Sequence, residues 1–196
     1  AIAMSVFHLW TAGFGTLLSA KQRSLHIIFA FVLGFTFYPG SKKSKKDKIS
    51  PLDYVFIVLV IIVFGYLFLF NEQIALKAGS VNNIDLIFGI VAILITLEIA
   101  RRVVGAALPI VAIIFLAYAY LGPYMPGLLA HRGFSLERIV SHTYLGLEGI
   151  MGIPLGVSAT FVFMFILFGA VLDKTGVGKF FIDVAYAITG HSKSGP

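Results

Sequence analysis

The residues most able to do chemistry are few. Glu98 lies inside an otherwise apolar run, where an acid is costly and therefore a functional candidate. Arg101 and Arg102 follow it at i+3 and i+4, within pairing reach on one helix. The trio reads either as a helix-end ion pair or as a transport or subunit-contact site. Glu148 precedes Gly149-Ile-Met-Gly152-Ile-Pro154-Leu-Gly156. Gly152 and Gly156 have the spacing that lets two helices approach closely, and Pro154 can break a helix. Such an interrupted span reads either as a pointer to a transporter binding site or as a packed, kinked helix. His8, His26, His131, His142 and His191 are dispersed, with no i, i+3 or i, i+4 pair for a helical metal site, which suits interfacial or loop positions. Gly156-Val-Ser158-Ala-Thr160 is not a nucleophile elbow, and no His shares the stretch. There is no Cys, no phosphate-binding loop and no dinucleotide fingerprint. The pattern is not that of an enzyme, and it assigns no catalytic, metal or cofactor residue.

The elements that must position these residues are apolar helices. Of 196 residues 59% are hydrophobic and 12% charged, with a mean hydropathy of +0.96. Soluble proteins run near 45–50% and about 25%. That much apolar surface excludes a soluble globular enzyme, a disordered tail and a coiled coil, and leaves an integral membrane protein. A span needs about 20 mostly apolar residues. Leu52–Phe70, Ile84–Ala100, Val103–Leu121 and Gly149–Leu172 meet this closely. Ile2–Ser19 and Ser24–Tyr38 are weaker, the second so short that it must tilt, thin the bilayer or extend back to Ala20. Two further stripes suit helices lying in the headgroup layer or packed on neighbours. One is Leu136, Ile139, Val140, Tyr144 and Leu147 behind an N-capping Ser135; the other is Phe180, Phe181, Val184, Ala185 and Ile188. The expected fold is therefore all-α and membrane-integral, with about six transmembrane helices and two short amphipathic interfacial ones.

Lys and Arg set the orientation. With the N-terminus inside, inner segments hold ten of these residues and outer segments five. The run Ser41–Lys48, with five Lys and one Asp, makes loop 39–51 cytoplasmic. It lacks the folded basic face or aromatic platforms of a nucleic-acid binder, so its partner is the anionic bilayer surface.

Several stretches carry a family resemblance. They are Arg101-Arg102-Val-Val-Gly105-Ala-Ala-Leu-Pro109, Gly122-Pro123-Tyr-Met-Pro126-Gly127, His131-Arg132-Gly133-Phe-Ser135-Leu-Glu137-Arg138, the run Glu148 to Thr160, and Phe181-Ile-Asp183. Together with Gly190–Pro196 they resemble TRAP transporter permeases, in the form that fuses the small four-helix subunit to the large one. Thr11-Ala-Gly-Phe-Gly15 matches more loosely. The resemblance implies a secondary transporter in the inner (plasma) membrane, driven by an ion gradient, with sodium expected as coupling ion. It would take organic anions such as carboxylates from an extracytoplasmic substrate-binding protein, usually of the TAXI class. Residues 1–100 would be the small-subunit-like region, its first helix complete or clipped. Residues 101–196 would begin the large subunit and stop before the first re-entrant hairpin. On that expectation this stretch is mainly scaffold, needs the remainder of the permease, and lacks the transport site. The alternative is a small membrane scaffold or assembly protein without transport activity. Glu98, Arg101, Arg102, Arg132, Glu148, Gly152, Pro154 and Gly156 are the candidate structural or functional positions, with Arg132 expected to face the binding protein.

Overall fold

The computed structural model describes residues 1–40, 50–77 and 79–189. The Lys run and the Gly190–Pro196 stretch lie outside the described residues. Those described contain helices and no strand. In order they are α1 (Ile2–Phe14), α2 (Ser19–Phe37), α3 (Pro51–Leu69), the short α4 (Asn71–Leu76), α5 (Asn83–Val103) and α6 (Ala107–Leu121). Then come α7 (Leu136–Val140), α8 (Ile153–Val157), α9 (Phe163–Thr175) and α10 (Val177–Thr189).

The spans follow from apolar runs cut by polar caps. Ser50 and Asp53 form a capping box at the start of α3, with Pro51 in the first turn, where its missing N–H costs nothing. Asn82 and Asp85 form a second box at the start of α5; the Asp85 N–H donates to Asn82 Oδ1 at 2.7 Å. Among the described residues four helical stretches are long and apolar enough to cross a bilayer: Pro51–Leu69, Asn83–Val103, Ala107–Tyr124 and Ile153–Thr175. They correspond to the four closest expectations, with shifted ends. The third starts at Ala107 because α5 runs on to Val103 and the chain turns at Gly105, whose φ of +102° suits glycine. The fourth starts at Ile153, since residues 146–152 form turns that carry apolar side chains without being helical. Pro154 thus sits in the opening turn of α8 and starts the span rather than kinking it. The extension of the second segment is realised, with α2 reaching back to Ser19 for 19 residues. α1 has only 13 residues, short of the expected Ile2–Ser19.

Ring pairs give the packing directions. Phe35 stacks on Phe56 and Phe31 meets Phe64, so α2 and α3 are antiparallel. Tyr66 meets Phe88 near one end and Arg102 reaches Asp53 near the other, so α3 and α5 are antiparallel too. Ile27, Phe35, Val63, Phe64, Ile95 and Tyr144 are central to the core between these three helices. The first amphipathic stripe does not lie free in the headgroup layer: Val140 and Tyr144 are fully buried against α5. Gly89 makes this possible, because any Cβ there would occupy the space of Val140 Cγ1. Tyr144 also donates its hydroxyl proton to the Val63 carbonyl at 2.7 Å. The second stripe, on α10, remains exposed at Phe180, Phe181 and Ile188.

Candidate functional site

Among the described residues two polar clusters inside this apolar bundle bear on the site, while a third, at the other end of α3 and α5, joins Tyr66 and Lys77 to the buried Asp85. The first joins the end of α5 to the start of α3. Glu98 accepts from Arg101 Nε at 2.8 Å and from Arg102 Nε at 2.7 Å, as helical spacing requires. Arg102 then continues inward. Its Nη1 donates to Asp53 Oδ1 at 2.6 Å and to the Tyr38 carbonyl at 3.2 Å. Its guanidinium carbon lies 4.9 Å and 5.2 Å from the ring centres of Phe35 and Phe56. The Arg102 and Asp53 side chains are each 3% exposed. This is a desolvated ion pair held by aromatic faces, in which every charge has an opposite partner. Its geometry is that of a helix-end ion pair, extended to a second helix.

The second cluster joins α1, α2 and the start of the last long span. His8 and His26 are buried, contrary to the expectation of interfacial or loop positions. The cause is tertiary: side chains of α1 and α2 meet, Phe7 with Phe29 and Thr11 with Gln22, so two histidines 18 apart in sequence come within 2.9 Å. The hydrogen-bond direction follows from the acceptor at one end. The Met4 carbonyl can only accept, so His8 Nδ1 carries the hydrogen of that 2.7 Å contact. With both rings neutral, His8 Nε2 then accepts from His26 Nδ1, and His26 Nε2 accepts from the Ser158 hydroxyl at 3.1 Å. Beside this chain Gln22 Nε2 donates to Thr11 Oγ1 and to the Ala159 carbonyl, both at 3.3 Å. Ala159 lies in Ser158–Val162, which is wound as a π-type turn, a distortion common at functional sites. An open cavity of about 720 Å³ borders this cluster, lined by His8, Thr11 and Gln22 on one side and by Phe161, Phe165 and Phe168 on the other.

The other predicted positions are separate. Glu148 is exposed and lies 2.9 Å from His142 Nδ1. Gly152 is the N-cap of α8. At Gly156 a Cβ would meet the guanidinium of Arg23 on α2, whereas at Gly152 it would meet the carbonyl oxygens of Gly149 and Glu148. Arg132 lies over Phe134, as does Arg138, at 5.8 Å and 5.5 Å. Neither arginine pairs with a carboxylate among the described residues. His131 is fixed nearby between the Tyr118 carbonyl and the Gly133 N–H. Among the described residues no group of three His, Cys, Asp or Glu could hold a metal ion.

The family model for the DctM component of the tripartite ATP-independent periplasmic transporter matches residues 91–196, more than half of the chain. The chain belongs to this family. No curated protein and no solved structure matches it. The match to the TRAP permease component begins inside α5, ten residues before Arg101. Glu98, Arg101, Arg102, Arg132, Glu148, Gly152, Pro154 and Gly156 all lie within it. Asp53, His8, Gln22 and His26, which complete the two polar clusters of this permease, come from before it.

Proposed function

We propose that this permease component works in a binding-protein-dependent secondary transporter, driven by a sodium gradient, that carries organic anions such as carboxylates across the inner membrane. The family match over residues 91–196 carries this reading. The finer parts rest on the sequence resemblance: a fused small and large subunit, residues 1–100 being the small-subunit-like region, and a TAXI-class binding protein as partner. Residues 1–196 then serve mainly as scaffold. Support comes from Glu98, Arg101, Arg102 and Asp53, whose charges are spent on one another and leave none to bind a transported ion. The ten-to-five distribution of Lys and Arg favours a cytoplasmic loop 39–51. The same topology puts Arg132, Arg138 and Tyr124, which is 84% exposed, on the side of the binding protein.

The test is uptake into proteoliposomes holding the full-length permease. Uptake of a labelled carboxylate that requires both an inward sodium gradient and added binding protein is expected. Uptake that needs ATP and ignores sodium would overturn the reading. Arg132→Ala should weaken binding-protein stimulation; unchanged uptake and unchanged affinity for the binding protein would remove Arg132 from that interface.

A further inference from the structure

Three loose ends meet at one end of the bundle. Arg23, in the second turn of α2, donates from Nη1 to the Met151 carbonyl at 2.6 Å but has no carboxylate partner among the described residues. The rest of its guanidinium lies over Gly156, where a Cβ would come within 2.6–2.8 Å of Nη2, Cζ and Nε. Gln22 Oε1 is buried with no hydrogen-bond partner, its amide hydrogens being committed to Thr11 and Ala159. In an apolar bundle an unpaired acceptor costs about 1–3 kcal/mol. The third loose end is empty space. A cavity of about 190 Å³ beneath Arg23 shares Thr16, Gln22 and Thr160 as lining with the 720 Å³ cavity, so the two are neighbours. The small one opens beside Thr16, Leu17, Ser19 and Ile153, at the start of α2 and α8, where a headgroup belongs. The large one runs along Phe161, Met164, Phe165 and Phe168.

An unpaired guanidinium calls for an anion, and an aromatic-lined cleft calls for a hydrocarbon chain. We propose that these neighbouring cavities hold one anionic glycerophospholipid. Its phosphate accepts from Arg23, and one acyl chain fills the aromatic cleft. Arginine suits the phosphate because its donors form a planar fork. The combined space falls within the usual range for ligand sites, about 300–1,000 Å³. Gly156 is then a specificity position, since any side chain there would push Arg23 off the phosphate.

Native mass spectrometry of the full-length permease, exchanged from detergent into phosphatidylglycerol or phosphatidylcholine, tests this. Wild type should retain one phosphatidylglycerol and hold phosphatidylcholine roughly tenfold more weakly, because the choline cation offsets the phosphate charge that Arg23 meets. Arg23→Gln should erase the preference, Arg23→Lys should keep most of it, and Ala12→Trp, which fills the large cavity, should lower retention of both lipids. Equal retention of the two lipids by wild type, or an unchanged preference in Arg23→Gln, would overturn the proposal. So would displacement of the site's occupant by inorganic phosphate with no lipid retained. If Arg23→Gln does not fold, the Arg23→Lys and Ala12→Trp pair decides: loss of preference in the first, or full retention in the second, would overturn it.

Discussion

The two polar clusters are built alike and finished differently. Each joins a residue of the stretch 91–196 to helices that precede it. The Arg102 cluster is charged, dry and complete: carboxylates and guanidinium groups meet, and two Phe rings close the site. The His8–His26 cluster is neutral and directional, and it ends beside a cavity with one acceptor left over. In a low-dielectric interior every polar group must be satisfied, so a complete cluster is a fastening. An incomplete one beside a cavity leaves room for a further molecule.

The sharpest way to break the contrast is Arg102→Met. It strands the buried Asp53 carboxylate, and removing one member of a buried pair costs about 3–5 kcal/mol. The thermal midpoint of the purified protein should fall by roughly 10 °C, at about 2–4 °C per kcal/mol. Adding Asp53→Leu should recover most of the loss, because no unpaired charge then stays inside. A failure to recover would show that the aromatic cage, not the charge, holds the site.

Next in size is His26→Phe, which leaves His8 Nε2 without its donor and frees the Ser158 hydroxyl, at about 1–3 kcal/mol. His8→Phe with His26→Phe should cost well under the sum of the single changes, and a double-mutant cycle on melting temperature reads the difference. Strict additivity would mean that the two rings do not act as one chain. Gly156→Ala should cost about 1–2 kcal/mol by displacing the Arg23 guanidinium, with loss of the Met151 contact visible as a lower midpoint.

The remaining handles lie at the far end of α3 and α5, where pH and exposed charge come in. The hydrogen bond to Asp85 holds the Lys77 ammonium above the ordinary lysine range. A raised pKa adds stability that is fully present below the unfolded value and is lost as pH climbs through the folded one. This contact should therefore be indifferent to pH from about 7 to about 9 and fade only beyond about 10.4. A melting curve with Lys77→Gln as reference shows whether it does. Glu72→Gln, breaking an exposed pair with Lys21, should change the midpoint by less than about 0.5 kcal/mol.

What could be read from the sequence follows the range of each interaction. Glu98 with Arg101 and Arg102 was legible because helical spacing alone puts them together. Asp53 was not, since its partner is 49 residues away on another helix. His8 and His26 were misplaced for the same reason: periodicity describes one helix and says nothing of the face that a second presents. The long spans stood out as apolar runs, but their ends blurred where apolar residues continue into turns, as at Gly149 to Met151. The α10 stripe was equally plain, but a stripe does not name what covers it.

The capping box at Asp53 has a consequence for how the protein is made. Synthesis runs from the N-terminus, so Asp53 reaches the bilayer ahead of Arg102. During that interval the Asp53 carboxylate has a local companion, the Ser50 backbone N–H at 3.2 Å, which donates to Oδ2. The other oxygen, Oδ1, is the one that Arg102 later takes. The cap thus works as a placeholder: it shelters an acid at the membrane boundary until the cation that completes it arrives, 49 residues afterwards.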